Sequence, residues 1–175
     1  MKRIILDVLL VIIFFIVHAT LFNMLPFGNI IPNILIVLTA TCGFCQGEKG
    51  GLMVGFACGL LLDVYSFNVI GLNALILMLI GFLVGNFSNT FYQDDIKLPL
   101  IIIGTADLLY SGLFYILNFM LRGHFNFEFY FINIILPEMA YTILVALPLY
   151  PLIVFLDKTI SKIGETKNTD PIKGI

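Results

Sequence analysis

The sequence predicts an all-α fold, a polytopic membrane bundle of six transmembrane helices. Three observations carry that prediction. Of 175 residues, 60% are hydrophobic and only 11% are charged. That is too little polar surface to cover a soluble core of this size, so the solvent is largely lipid. Six apolar segments can be marked along the chain. The positions of Lys and Arg then sort to one side of the bilayer when those six segments alternate in direction.

The first segment, Ile4–Leu25, follows Lys2 and Arg3 and imitates a signal peptide. It is long, and no clear small-x-small cleavage site follows it, so it reads as a retained first helix. The second (about 30–46) and third (about 50–65) meet at a short polar turn, Gln46-Gly47-Glu48-Lys49. The fourth covers about 71–87, the fifth 97–121 and the sixth 129–156. At 1.5 Å per residue they run from roughly 24 Å to roughly 42 Å. Segments two to four are short for a bilayer core of ~30 Å and must extend into their loops or thin the bilayer. The sixth contains Pro137, Pro148 and Pro151, which predicts a kink, or an early end with continuation along the membrane surface. Residues 1–158 form the membrane domain on this reading, and 159–175 a polar cytoplasmic tail.

With the N-terminus inside, the inner segments hold Lys2, Arg3, Lys49, Lys97, Lys158, Lys162, Lys167 and Lys173, and the outer ones hold only Arg122. This bias places both termini in the cytoplasm and the chain in a cell membrane. No basic patch with interleaved aromatics appears, which argues against nucleic acid as a partner.

Acids inside apolar segments are costly, roughly 2.5–3.5 kcal/mol each at mid-bilayer. Asp63 falls near the outer end of the third segment, whereas Asp107 and Glu138 fall deeper. No Lys or Arg shares their depth. They must be protonated, hydrogen-bond to neutral groups, or meet a partner's cation or a watered cleft. At 100° per residue Asp107, Ser111 and Asn118 share one stripe of the fifth segment, and Glu138 and Thr142 share a face of the sixth. Such stripes face the bundle interior, where they form a polar network between helices, a partner-binding cleft, or a proton or solute pathway.

Gly51, Gly55 and Gly59, then Gly81 and Gly85, follow small-xxx-small spacing. They allow backbones to approach closely, for internal packing or for docking a foreign helix. With Asp63 and Arg122 they make up the candidate packing and partner surface. Cys42-x-x-Cys45 lacks the further ligands a zinc site needs and reads as packing. His18 and His124 belong to no ligand pair. The pattern Gly43-x-Cys45-x-Gly47 sits at a helix end without acid and His partners. No catalytic set is assembled, and no cofactor or metal is expected.

Several short pieces, weak singly, are specific in their order. They are His18-Ala19-Thr20-Leu21-Phe22, Pro32-Asn33-Ile34-Leu35, Gly47-Glu48-Lys49-Gly50-Gly51, Gly55-Phe56, and Gly59-Leu60-Leu61-Leu62-Asp63. Further on come Gly71-Leu72, Gly81-Phe82-Leu83-Val84-Gly85, Phe91-Tyr92 with Asp94, Leu121-Arg122-Gly123 and Leu136-Pro137-Glu138. Over nearly the whole chain this series resembles the MreD family of the bacterial rod-shape machinery. His18 departs from it, standing where the family often has Gln. The resemblance implies a non-enzymatic six-helix bundle similar to the S subunits of energy-coupling-factor transporters. It implies binding to MreC, a single-pass periplasmic scaffold. Through MreC the chain would couple MreB filaments to the peptidoglycan synthases, RodA and a class B penicillin-binding protein. The competing readings are a vitamin-binding S subunit and a small proton-coupled carrier. S subunits usually carry an A-x-x-x-A motif on the first helix, where this chain has the single alanine Ala19.

Overall fold

A computed structural model describes residues 2–24, 32–66, 71–88, 97–122 and 131–165. All the elements among them are helical: α1 (Lys2–Met24), α2 (Ile34–Ser66), α3 (Leu72–Ser88), α4 (Lys97–Arg122), a π-helical turn (Phe131–Ile135) and α5 (Leu136–Glu165). The second and third apolar segments thus form one element, α2. It is interrupted at Gly47, whose backbone stands at φ 80° and ψ −170°. That conformation is open almost only to glycine. It breaks α2 into a first arm before Gly47 and a second arm after it, at the polar turn expected from sequence.

The first arm is the post of the bundle. Every residue from Ile34 to Phe44 is buried, so no side faces out. A helix that is apolar all round is stable only when surrounded, and α1, α3, α4 and α5 all pack against α2. Asn33 starts the arm as an N-cap: its Oδ1 accepts from the Ile36 amide at 3.3 Å. The outer helices keep lipid-compatible rows on their far sides. On α1 these include Ile5, Leu9 and Ile16, all about half exposed or more.

Among the described residues, two helices are long and apolar enough to cross a membrane by length and composition, over Leu98–Leu117 and Phe131–Thr159. The apolar stretches Asp7–Thr20 and Leu72–Phe87 are shorter. The sixth segment does not end early at its prolines. Its helix runs through Pro148 and Pro151 to Glu165, past the composition boundary at 158.

Candidate functional site

The glycines come together around the Gly47 turn. A methyl group on Gly51 would collide with the Gly81 carbonyl and stand 2.8 Å from the Gly43 Cα. On Gly55 it would strike the Leu77 carbonyl, on Gly59 the Ala74 backbone, and on Gly85 the Gly47–Glu48 backbone. The second arm of α2 and α3 therefore run antiparallel in backbone-to-backbone contact, with the first arm wedged beside them through Gly43. Real Cβ atoms do not approach backbone so closely, so each of these positions admits only glycine without a shift. The small-residue face is used within the chain.

Asp63 closes the far end of this hairpin. It is 1% exposed, and its oxygens accept from the amides of Gly71 (2.9 Å), Asn73 (3.0 Å) and Ala74 (3.1 Å). These are N–H groups at the start of α3, which a helix leaves without internal partners. The carboxylate is an N-cap supplied by the preceding helix, placed where the helix dipole favours negative charge. Gly71, at φ 99°, makes the turn into α3.

A polar layer extends sideways from this cap. Asn73 Oδ1 accepts from the Tyr110 hydroxyl at 2.7 Å, which ties α3 to α4. The Asn33 amide donates to the Thr142 hydroxyl oxygen at 3.2 Å, which ties the start of the post to α5. Asp107 lies one turn before Tyr110 and is also 1% exposed. Neither of its oxygens has a hydrogen-bonding partner. Thr142 and Glu138 lie beside it, and Ser111 lies beside Glu138. Four of the five residues expected in the intramembrane network, Asp107, Ser111, Glu138 and Thr142, are thus brought together. The side chains of the fifth, Asn118, and of Arg122 fall outside the described residues, as does His124. Beyond the layer, α4 continues for about three turns from Ser111 to Arg122, and α5 with the π turn for about two from Glu138 back to Phe131.

A second polar cluster, missed by sequence reasoning, lies at the opposite end of the post. The Gln46 side-chain amide donates to Asp7 of α1 at 3.1 Å and to Asp157 of α5 at 2.9 Å. The partners are 39 and 111 residues away in the chain, and nothing local marks them. Cys42 and Cys58 are buried free thiols, and Cys45 is half-buried. Among the described residues no group of three or more His, Cys, Asp or Glu is placed to hold a metal ion. His18 is buried on α1, with its Nδ1 unpaired.

A family model described as rod shape-determining protein MreD matches residues 2–160. The chain belongs to the MreD family. Neither a curated protein nor a solved structure matches it. MreD proteins are shape-determining membrane proteins and not a known enzyme family, which assigns this chain to the rod-shape machinery. The match lends no support to the vitamin-binding or proton-carrier readings. The likeness to S subunits rests on the sequence resemblance alone.

Proposed function

We propose that this chain is a non-enzymatic scaffold of the cell-elongation complex. It spans the membrane six times with both termini cytoplasmic, binds MreC, and helps couple MreB filaments to RodA and a class B penicillin-binding protein. The family match over residues 2–160 carries this reading. The break of α2 at Gly47, which turns five helical elements into six rods, supports the span count. Lys49 beside that break, with Lys2 and Lys158 at the ends of the bundle, supports the orientation.

The glycine face and Asp63 are occupied by internal contacts. The partner surface is therefore better sought on the outward rows of α1, α4 and α5 and at the end of α4 marked by Arg122. Contact there would be by apolar packing within the bilayer, which needs no buried charge. Depletion in the native rod-shaped cell, combined with affinity capture, tests the proposal. Rounded cells and co-purified MreC are expected. Rods that persist after depletion, or a capture without MreC, would overturn it.

A further inference from the structure

We propose that the groove between α1 and the second arm of α2 binds one phospholipid whose headgroup carries a primary ammonium, with the ammonium on the Asp7 carboxylate and an acyl chain along the groove. The inference needs only that the chain lies in a bilayer, as its family does, and is independent of the scaffold reading.

The groove has a volume of about 290 Å³, with Val8 and Val11 of α1 on one wall and Met53 and Phe56 of α2 on the other. Val8, Met53 and Phe56 are about half exposed, so the groove opens sideways, toward lipid. Gln46 meets Asp7 at one end, and Phe15 meets Tyr65 edge-to-face at 5.8 Å farther along, so the two helices run in the same direction. The lining runs from Ile4 to Val11 and from Gly50 to Ala57, about 10 Å along each helix. That is about a third of a ~30 Å hydrocarbon core, and the Phe15–Tyr65 contact closes the helices beyond it. A partner's spanning helix needs a groove along its whole length, whereas an acyl chain entering from one leaflet does not.

Among the lining residues only Asp7 is charged. Its carboxylate is fixed in place by the Gln46 amide at 3.1 Å, and the same nitrogen reaches Asp157 at 2.9 Å. Gly50 makes room for this, since a methyl group there would collide with the Gln46 side chain. A second carboxylate thus stands behind the first, and Gln46, being neutral, cancels neither. Within a bilayer the acyl chain itself gives little selectivity, because lipid tails are as apolar as the groove. Selection falls to the headgroup. Anionic headgroups are recognised by clusters of Lys and Arg, the opposite of what the end of this groove offers. A primary ammonium brings N–H donors as well as charge, and makes a charge-assisted hydrogen bond to a carboxylate. A quaternary ammonium has no N–H to donate, and the aromatic cage that suits it is reduced here to Phe56. Exposed Lys49, next to Gly50 at the mouth, marks the level of the headgroups.

The test uses the full chain purified in detergent. It is incubated with equimolar palmitoyl-oleoyl phosphatidylethanolamine and the phosphatidylcholine of the same chains, and one-lipid adducts are counted by native mass spectrometry. The ethanolamine lipid is expected to exceed the choline lipid by about fivefold, the ratio that corresponds to ~1 kcal/mol. The preference should vanish in Asp7→Asn and persist in Glu138→Gln, at the opposite end of the bundle. Equal occupancy by the two lipids in the wild type would overturn the site and leave the groove to a partner's helix. A preference that survives Asp7→Asn would overturn it as well, and so would a lipid-free dimer in which a second copy fills the groove. Should Asp7→Asn fail to fold, phosphatidylethanolamine with a photoreactive diazirine in its acyl chain decides on the wild-type protein. Crosslinks confined to residues 4–11 and 50–57, and competed by unlabelled ethanolamine lipid but not by choline lipid, support the proposal. Crosslinks elsewhere, or equal competition by both lipids, overturn it.

Discussion

The α2–α3 hairpin and the α4–α5 pair solve the same problem, holding helices together in lipid, by opposite means. In the hairpin, glycines remove the side chains, so backbone meets backbone at Gly51–Gly81 and Gly59–Ala74. Its buried acid, Asp63, accepts three backbone N–H bonds. Between α4 and α5 side chains hold the helices apart. Gly104 is separated from the α5 backbone by Ile143, and an apolar groove of about 350 Å³ runs between the helices past Leu100, Leu108 and Met139. The acid there, Asp107, has no donor. The lesson is that equal burial of two carboxyls does not mean equal roles. One is a structural clamp in a tightly closed joint, and the other sits without a backbone donor in a joint held apart by side chains.

The sharpest way to break this comparison is to put a side chain into the tight joint. Gly51→Val drives carbon atoms into the Gly81 backbone, which cannot move away as a flexible side chain would. Overpacking ordinarily costs about 1–3 kcal/mol, occasionally more. With backbone as the obstacle, loss of the folded peak in fluorescence-detected size-exclusion chromatography is expected. A folded, monodisperse variant would mean that the hairpin is looser than described.

A matched pair of neutralisations sharpens the comparison further. Asp63→Asn turns a charged acceptor into an amide whose NH2 faces backbone donors, and hydrogen bonds to charged groups are worth about 1.5–3 kcal/mol. A loss of roughly 2–3 kcal/mol should appear as a lower thermal midpoint. Asp107→Asn removes no backbone hydrogen bond, keeps a carbonyl oxygen beside Thr142, and relieves a buried charge. Its midpoint should stay within about 1 kcal/mol of wild type or rise. Equal losses in the two variants would erase the distinction between an acid that clamps a helix start and one that does not.

The smallest effect is expected at Gly112 on α4, where an added methyl group meets nothing within 4 Å. Gly112→Ala should stabilise by about 0.5–1 kcal/mol through helix propensity alone, seen as a small rise in the midpoint. A fall would place an unseen contact on that face.

The helices were legible in the sequence because an apolar run is its own signal. The turn at Gly47 was legible because polar residues interrupt such a run there, and the glycines because four-residue spacing puts them on one face. The stripes of Asp107 with Ser111 and of Glu138 with Thr142 were legible as faces, and the fold brings those faces together. The role of Asp63 was not legible. Its donors lie 8 to 11 residues on, in the next helix, and their direction depends on the turn made by Gly71. Nor was the bridge from Gln46 to Asp7 and Asp157, whose partners lie 39 and 111 residues away in the chain.

The chain's own residue pattern determined that it is helical, apolar, broken at Gly47, ridged with glycine and a member of the MreD family, since each of these is a local pattern or a linear match. Only the tertiary structure decided which helix is the central post. In a membrane protein, lipid-facing and core-facing residues share one chemistry, so Ile34–Phe44 and the outer row of α1 look alike until the bundle is assembled. The same holds for Asp63 and Asp107. They are one residue type in similar apolar settings, separated only by the presence or absence of backbone N–H groups that another helix brings to them.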